Sequence, residues 1–115
     1  NVLVAGEKLV NEKPEIVQGF NKALIKGIEY VIDGHVEEAV DYSIEKMAPT
    51  FAEKRDVVIK IINEVFIPTL WQSDYTKEHG IGASDVKKWQ ALIDSSKEYG
   101  IIKESFDAKD LLVLD

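Results

Sequence analysis

The sequence predicts a mostly helical protein with four main helices and one or two short strands. Apolar residues recur at spacings of three and four in four separate segments, which is the pattern of helices with one buried face. Prolines and glycines stand between these segments, where they interrupt helices. The 115 residues are 45% hydrophobic and 30% charged, a balance typical of a globular protein. We therefore expect residues 1–115 to form a single domain.

The longest predicted helix runs from Pro14 to Asp33. Pro14 suits a first helical turn, where its missing N–H leaves no hydrogen bond unmade, and the Asp33-Gly pair is a typical helix end. Phe20, Ala23 and Gly27 form a notch where another element can approach closely. A glycine inside a helix costs about 1 kcal/mol relative to alanine, so we expect a packing partner at this notch.

Three further main helices are expected at Val36–Thr50, at Ala52–Phe66, and from a cap at Ser84 or Asp85 to Tyr99 and Gly100. Pro68 is expected to end the third main helix, because proline lacks the N–H that a helix interior requires. Serine and aspartate are favoured before the last helix because their side-chain oxygens accept hydrogen bonds from its first N–H groups.

The remaining elements are short. The apolar run NVLVA at residues 1–5 indicates a strand at Val2–Ala5, although the first turn of a helix has the same composition. A brief helix is expected at residues 6–11, an extended segment at Ile101–Ile102, and a final turn capped by Asp107. Residues 70–84 are expected to form an irregular loop, because two glycines near its end disfavour a helix.

Charge and composition exclude several classes of function. The chain has 21 acidic and 14 basic residues, a net charge of −7, so it lacks the basic patch that nucleic acids or anionic membranes require. It has no cysteine, which excludes disulfides and thiolate chemistry within it. Because its only methionine is Met47, we expect the chain to be a processed product or part of a longer protein.

Few residues are candidates for chemistry. Asp74, Glu78 and His79 lie close together in the sequence, but their spacing matches no established metal motif. His35 stands where a helix begins, so capping or exposure is favoured over catalysis. We expect no metal, no cofactor and no catalytic residue.

Three aromatic residues remain to be assigned. Trp89 has helical spacing to apolar neighbours and is expected in the core. Trp71 and Tyr75 lie in the 70–84 loop, where amphipathic rings often serve recognition. Packing of Trp71 against the end of the preceding helix is the favoured alternative. The same loop offers Asp74, and these three residues are our candidates for ligand binding.

The order of these features resembles the second half of the substrate-binding proteins of bacterial ABC importers. The similarity begins with VLVAGEKLVNEKPEIVQGFNKALIKGIEYVID followed by HVEEAV, and the helix pattern is carried by Pro14, Phe20, Ala23 and Gly27. The branch resembled is that for thiamine pyrimidine precursors, which is related to the sulfonate, nitrate and riboflavin binders. His35 stands where this branch typically has a proline.

The closing segment SDYTKEHGIGASDVKKWQALIDSSKEYGIIKESFDAKDLL carries the most specific part of the resemblance. It is similar to the family in the run from Thr76 to Gly82 and in the short stretches WQ, ID and YGII. The resemblance implies that this chain is the C-terminal portion of a two-lobed α/β binding protein of the class II periplasmic type.

The implied function is capture of a small heteroaromatic molecule, such as a pyrimidine or related vitamin precursor, for import. The implied partner is an ABC permease, and the implied location is extracytoplasmic, in the periplasm or at the cell surface on a lipid anchor. An isolated portion of such a protein is expected to self-associate. The alternatives are a freestanding helical interaction module and an enzyme of thiamine-pyrimidine synthesis. Enzymes of that kind belong to the same family, but their catalytic histidine and cysteine-rich motif have no counterpart in this sequence.

Overall fold

The computed structural model of the chain describes residues 2–113, most of which are helical. The α-helices are α1 (Glu7–Glu12), α2 (Pro14–Ile32), α3 (Val36–Lys46), α4 (Arg55–Ile61), α5 (Asp74–His79), α6 (Val86–Glu98) and α7 (Ala108–Leu111). A 3-10 helix spans Pro49–Lys54, and a π-helix spans Ile62–Trp71 directly after α4. The chain divides into two compact units, one up to Gly82 and one from Ala83 onward.

The predicted strands and the implied two-lobed α/β fold are wrong, because residues 2–113 contain no β-strand. A strand needs a neighbour that accepts and donates its backbone hydrogen bonds. Residues 2–5 have no such neighbour, and the side chains of Val2 and Val4 are 65% and 83% exposed. Ile101 and Ile102 likewise lie in a series of bends after α6. Asn1, which begins the first apolar run, lies outside the described residues.

Several helix boundaries are confirmed. Pro14 occupies the first turn of α2, and Asp33 follows its last residue. Gly34 then adopts a φ of 106°, a conformation that favours glycine. Asp85, rather than Ser84, caps α6. Its carboxylate accepts hydrogen bonds from the backbone N–H groups of Lys87 and Lys88. The brief helix α1 and the Asp107-capped α7 also occur as predicted.

Helix α3 ends earlier than predicted, at Lys46 rather than Thr50. The backbone leaves the helical region at Met47, and Pro49 opens the 3-10 helix two residues later. The residue before a proline is disfavoured in the α conformation, which accounts for the early end. The four residues that the sequence assigned to the end of α3 therefore form the connection to α4.

The predicted break at Pro68 is also wrong, because Pro68 lies inside the π-helix. In an α-helix its ring would clash with the carbonyl group of Glu64. The wider hydrogen-bond spacing of a π-helix shifts the pairing by one residue and accommodates the ring. Thr69 adds a side-chain bond, since its hydroxyl donates to the carbonyl oxygen of Val65 at 2.5 Å. The helical path therefore continues to Trp71.

An ion pair joins α3 to α4. The guanidinium group of Arg55 donates to both carboxylate oxygens of Asp41, at 2.5 Å from Nε and 2.9 Å from Nη2. This hydrogen bonding lowers the pKa of Asp41. Because Arg55 is the first residue of α4, the pair fixes where α4 begins relative to α3.

The buried core of the described chain is small. Its buried hydrophobic residues are Val36 and Val40 in the first unit and Ile93 and Ala108 in the second. Trp89, predicted to be a core residue, is only half-buried. No helix within residues 2–113 combines the length and the apolar content that a membrane crossing requires.

Helix α2 has two apolar faces, and one of them is open. Its half-buried hydrophobic residues are Val17, Ile25, Ile28, Val31 and Ile32. Ile16 and Phe20 are 50% and 60% exposed on the other face, together with Ala23 and Gly27. A Cβ atom at Gly27 would meet nothing within 4 Å. The expected partner of this notch is therefore not found among the described residues.

Candidate functional site

The predicted binding residues lie in one segment of the first unit, residues 66–79, which we call the aromatic segment. Trp71 is the last residue of the π-helix. Its ring meets the ring of Phe66 edge-on, with centroids 5.8 Å apart and planes at 61°, a favourable geometry for aromatic pairs. Trp71 is half-buried. Trp71 thus packs against the end of the π-helix, as the favoured alternative predicted. It directly precedes the residues that lead into α5.

The residues after Trp71 form helix α5, where the sequence predicted an irregular loop. A reciprocal capping box starts this helix: the hydroxyl of Ser73 accepts from the N–H of Thr76 at 3.1 Å, and the hydroxyl of Thr76 accepts from the N–H of Ser73 at 2.8 Å. The usual sequence signal of this box has glutamate or glutamine in the later position. Ser73 followed three residues later by Thr76 is the weaker signal that would have predicted α5.

Asp74 is the first residue of α5, and its carboxylate projects into solvent. The ammonium group of Lys77, on the next turn, lies 3.4 Å from this carboxylate. An exposed carboxylate in the first turn is favoured by the helix dipole. It is also able to accept hydrogen bonds from N–H groups of a ligand.

Tyr75 and His79 are one turn apart on α5, and their rings are in contact. The centroids are 4.3 Å apart, with the planes at 40°. Tyr75 is half-buried, whereas His79 is exposed. In the sequence, His79 is a candidate only for metal binding. The ring contact between His79 and Tyr75 is therefore a feature that the sequence analysis missed.

Two glycines end the aromatic segment and turn the chain back towards α2. Gly80 follows α5 with a φ of 95°, and Gly82 has a φ of 83°. A Cβ atom at Gly82 would lie 3.3 Å from the side chain of Ile25, closer than an ordinary contact. The glycines therefore end α5 and do not prevent it, so the predicted absence of a helix from residues 70–84 is wrong.

The structure does not assemble the predicted polar residues into a metal site. Within residues 2–113 no group of three histidine, aspartate or glutamate side chains could hold a metal ion. The carboxylate of Glu78 lies 3.8 Å from Nε2 of His79.

His35 lies at the junction of α2 and α3. Its Nδ1 is 2.9 Å from the carbonyl oxygen of Tyr30, and because a carbonyl only accepts, Nδ1 carries the hydrogen. The imidazole ring of His35 stacks on the phenol ring of Tyr30, with centroids 3.8 Å apart. The hydroxyl of Tyr30 donates to Glu38 at 2.7 Å, and this bond raises the pKa of Tyr30. His35 thus caps the carbonyl end of α2 rather than the start of α3.

A separate apolar cleft of about 150 Å³ lies between α3, the 3-10 helix and α4, and is lined by Val40, Ser43, Ile44, Ala48, Phe51 and Val58. Sites for small organic ligands usually occupy about 300–1,000 Å³ and combine apolar walls with a few polar groups. This cleft is smaller and has almost no polar lining, so the aromatic segment remains the better candidate.

The chain is similar to the riboflavin-binding protein RibY of Chloroflexus aurantiacus, with 21% identity over 109 residues. The match covers 95% of this chain but 30% of RibY, so the chain spans about a third of that relative's length. No protein-family model matches the chain, and no solved structure matches it significantly. The similarity is consistent with a substrate-binding protein and does not identify one branch of that family.

Proposed function

We propose that the chain is part of a longer substrate-binding protein that captures a heteroaromatic vitamin or vitamin precursor, either a pyrimidine or a flavin. The observation that carries this proposal is the similarity to a riboflavin-binding protein along nearly the whole chain. A pyrimidine ring and a flavin share a flat aromatic surface and a polar edge. Both are suited to aromatic side chains combined with a few fixed polar groups.

Trp71, Asp74 and Tyr75 are the residues proposed to border the ligand. Trp71 offers an aromatic surface already held in place by Phe66, so little freedom is lost when a ligand stacks on it. Asp74 offers an exposed acceptor in the first turn of α5, between the two capping-box residues Ser73 and Thr76. The proposed activity is capture of the ligand without chemical conversion. The longer protein would act outside the cytoplasm and deliver the ligand to an ABC permease.

The small core supports a longer parent protein. A chain of this length is long enough to bury a substantial core, yet the described residues bury only the two valines of α3, Ile93 and Ala108. The exposed face of α2 includes Ile16 and Phe20. In a longer protein these surfaces would be covered by the additional residues.

A thermal-shift screen of the full-length protein that contains this sequence tests the proposal. Riboflavin, thiamine pyrimidines and alkyl sulfonates are added separately, since a ligand that binds the folded state raises the melting temperature. We expect a vitamin compound to raise it and the sulfonates to leave it unchanged. Stabilisation by sulfonates alone would reject the pyrimidine and flavin assignment.

A freestanding interaction module is the second candidate, and the open apolar face of α2 favours it, because exposed apolar surfaces often bind other proteins. Sedimentation of the 115-residue chain distinguishes the two. A module predicts a monodisperse monomer that binds none of the vitamin compounds. A portion of a longer protein predicts concentration-dependent self-association.

A further inference from the structure

The first unit contains two tyrosine–histidine ring pairs, and they differ in what the imidazole nitrogens do. Tyr30 and His35 stack at 3.8 Å with planes at 11°. Tyr75 and His79 meet at 4.3 Å with planes at 40°. The imidazole of His35 takes part in the fold, whereas that of His79 is exposed.

The pair at the α2–α3 junction is committed to the fold. His35 Nδ1 donates to the carbonyl oxygen of Tyr30 at 2.9 Å, and the hydroxyl of Tyr30 donates to Glu38 at 2.7 Å. These bonds join the end of α2 to the first turn of α3. His35 is half-buried, as expected for a structural side chain.

The pair on α5 is different. No hydrogen bond to either ring nitrogen of His79 is found within residues 2–113, and the nearest charged oxygen, on Glu78, is 3.8 Å from Nε2. The side chain of His79 is 46% exposed. Its ring nonetheless has a defined place, because it rests on the half-buried ring of Tyr75.

The helix that carries this pair is held at its start. The reciprocal bonds between Ser73 and Thr76 satisfy two backbone N–H groups of the first turn. Tyr75 lies between these two residues, so the capping box fixes the backbone that supports both rings. An imidazole placed in this way needs little reorganisation to bind a ligand.

We propose that His79 is a ligand-recognition residue, one ring nitrogen of which hydrogen-bonds to the polar edge of a heteroaromatic ring. This inference rests on the proposed function and deepens it. Neutral imidazole offers one donor and one acceptor. Because the two nitrogens point in diverging directions, one of them faces a given ligand edge. An aminopyrimidine or flavin edge carries both donors and acceptors, so it can pair with that nitrogen whether the nitrogen donates or accepts. A sulfonate or nitrate offers acceptors only and can pair with it only when it carries the hydrogen.

The test uses the full-length protein that contains this sequence, with riboflavin and an aminopyrimidine as probes. His79→Phe retains a ring against Tyr75 but removes both nitrogens. His79→Gln removes the ring but keeps a donor and an acceptor. His35→Phe is the matched control, since it makes the same change at the structural pair. Dissociation constants are measured by riboflavin fluorescence and calorimetry, and melting temperatures are measured in parallel.

We expect His79→Phe to weaken binding about fivefold, the size of one lost hydrogen bond, without lowering the melting temperature. His79→Gln is expected to bind more tightly than His79→Phe. His35→Phe is expected to lower the melting temperature and to leave the dissociation constant unchanged. Wild-type affinity in His79→Phe would overturn the inference but leave the proposed function intact. If the wild-type protein bound neither probe, the proposed function and this inference would both be rejected.

Discussion

The side-chain oxygen of Gln90 accepts a hydrogen bond from the backbone N–H of Ala108 at 2.8 Å, and Ala108 is completely buried. The amide nitrogen of Gln90 also donates to the carbonyl oxygen of Phe106 at 3.0 Å and to Asp94 at 3.1 Å. One side chain on α6 therefore holds the segment that leads into α7. The second unit depends on this polar link because its buried apolar core is small.

Replacing Gln90 by leucine should destabilise the second unit. The change leaves the buried N–H of Ala108 without a partner, which costs about 1–3 kcal/mol. Chemical denaturation, with exchange of the Ala108 amide followed in parallel, measures the effect. The same change at the exposed Gln18 of α2 is the matched control and should have little effect. Equal effects at the two positions would contradict the role assigned to Gln90.

Ser105 should stabilise the second unit only where Asp94 is ionised. The hydroxyl of Ser105 donates to Asp94 at 2.5 Å and, with a second bond from Gln90, lowers the pKa of Asp94 below its usual 3.8. A lowered folded-state pKa adds stability above the unfolded value, and that stability is lost as the pH falls through the folded value. Ser105→Ala should therefore be destabilising at pH 7, with the difference from wild type shrinking below about pH 4.

Ser96→Ala provides the comparison for that experiment. The hydroxyl of Ser96 donates to the carbonyl oxygen of Leu92 at 2.7 Å, so its effect should be the same at all pH values. Denaturation curves at several pH values between 2 and 7 check both variants. A Ser105→Ala effect that stayed constant over this range would rule out the bond to ionised Asp94 as its cause.

Gly27 and Gly34 should respond in opposite ways to alanine. Neither position has an atom within 4 Å of a Cβ, so the backbone decides the result. Gly27 lies inside α2, and Gly27→Ala should stabilise the 115-residue chain by about 0.5–1 kcal/mol. Gly34 has a φ of 106°, and Gly34→Ala should destabilise it by about 1–3 kcal/mol. Thermal unfolding measures both changes; a loss of stability in Gly27→Ala would mean that the open face of α2 is covered.

Ser73→Ala should weaken α5. Loss of the cap costs about 1 kcal/mol, and the effect should be concentrated in faster amide exchange of Thr76. Ser73→Asp keeps an acceptor for that N–H and should retain most of the protection. If Ser73→Ala left the exchange of α5 unchanged, the capping box would not be what starts this helix.

Local signals in the sequence were sufficient to predict most helix starts. Pro14, Asp85 and Asp107 act on backbone groups within a few residues, so no knowledge of distant contacts is needed. Strands depend on a partner elsewhere, and the apolar run at Val2–Ala5 could not reveal that none is present among the described residues. The predicted break at Pro68 is wrong for a related reason, because proline is excluded from an α-helix interior but is accommodated by the π-helix of Ile62–Trp71.

The candidate site was predicted only in part. The sequence predicts Trp71, Asp74 and Tyr75 as binding residues because it predicts an irregular loop there. The structure instead places Asp74 and Tyr75 on helix α5 and pairs Trp71 with Phe66. The contact between Tyr75 and His79 arises from their spacing of four on a helix. Since α5 was not predicted, that spacing carried no meaning in the sequence. Their role in binding remains a prediction.

Titration of the full-length protein with riboflavin and an aminopyrimidine, each in competition with an alkyl sulfonate, tests the central claim most directly. We expect saturable binding of at least one of the two aromatic compounds and no displacement by the sulfonate. We also expect weaker binding in Trp71→Ala with little loss of stability. Absence of binding by both aromatic compounds would contradict the claim that this chain belongs to a protein that captures a heteroaromatic vitamin or its precursor.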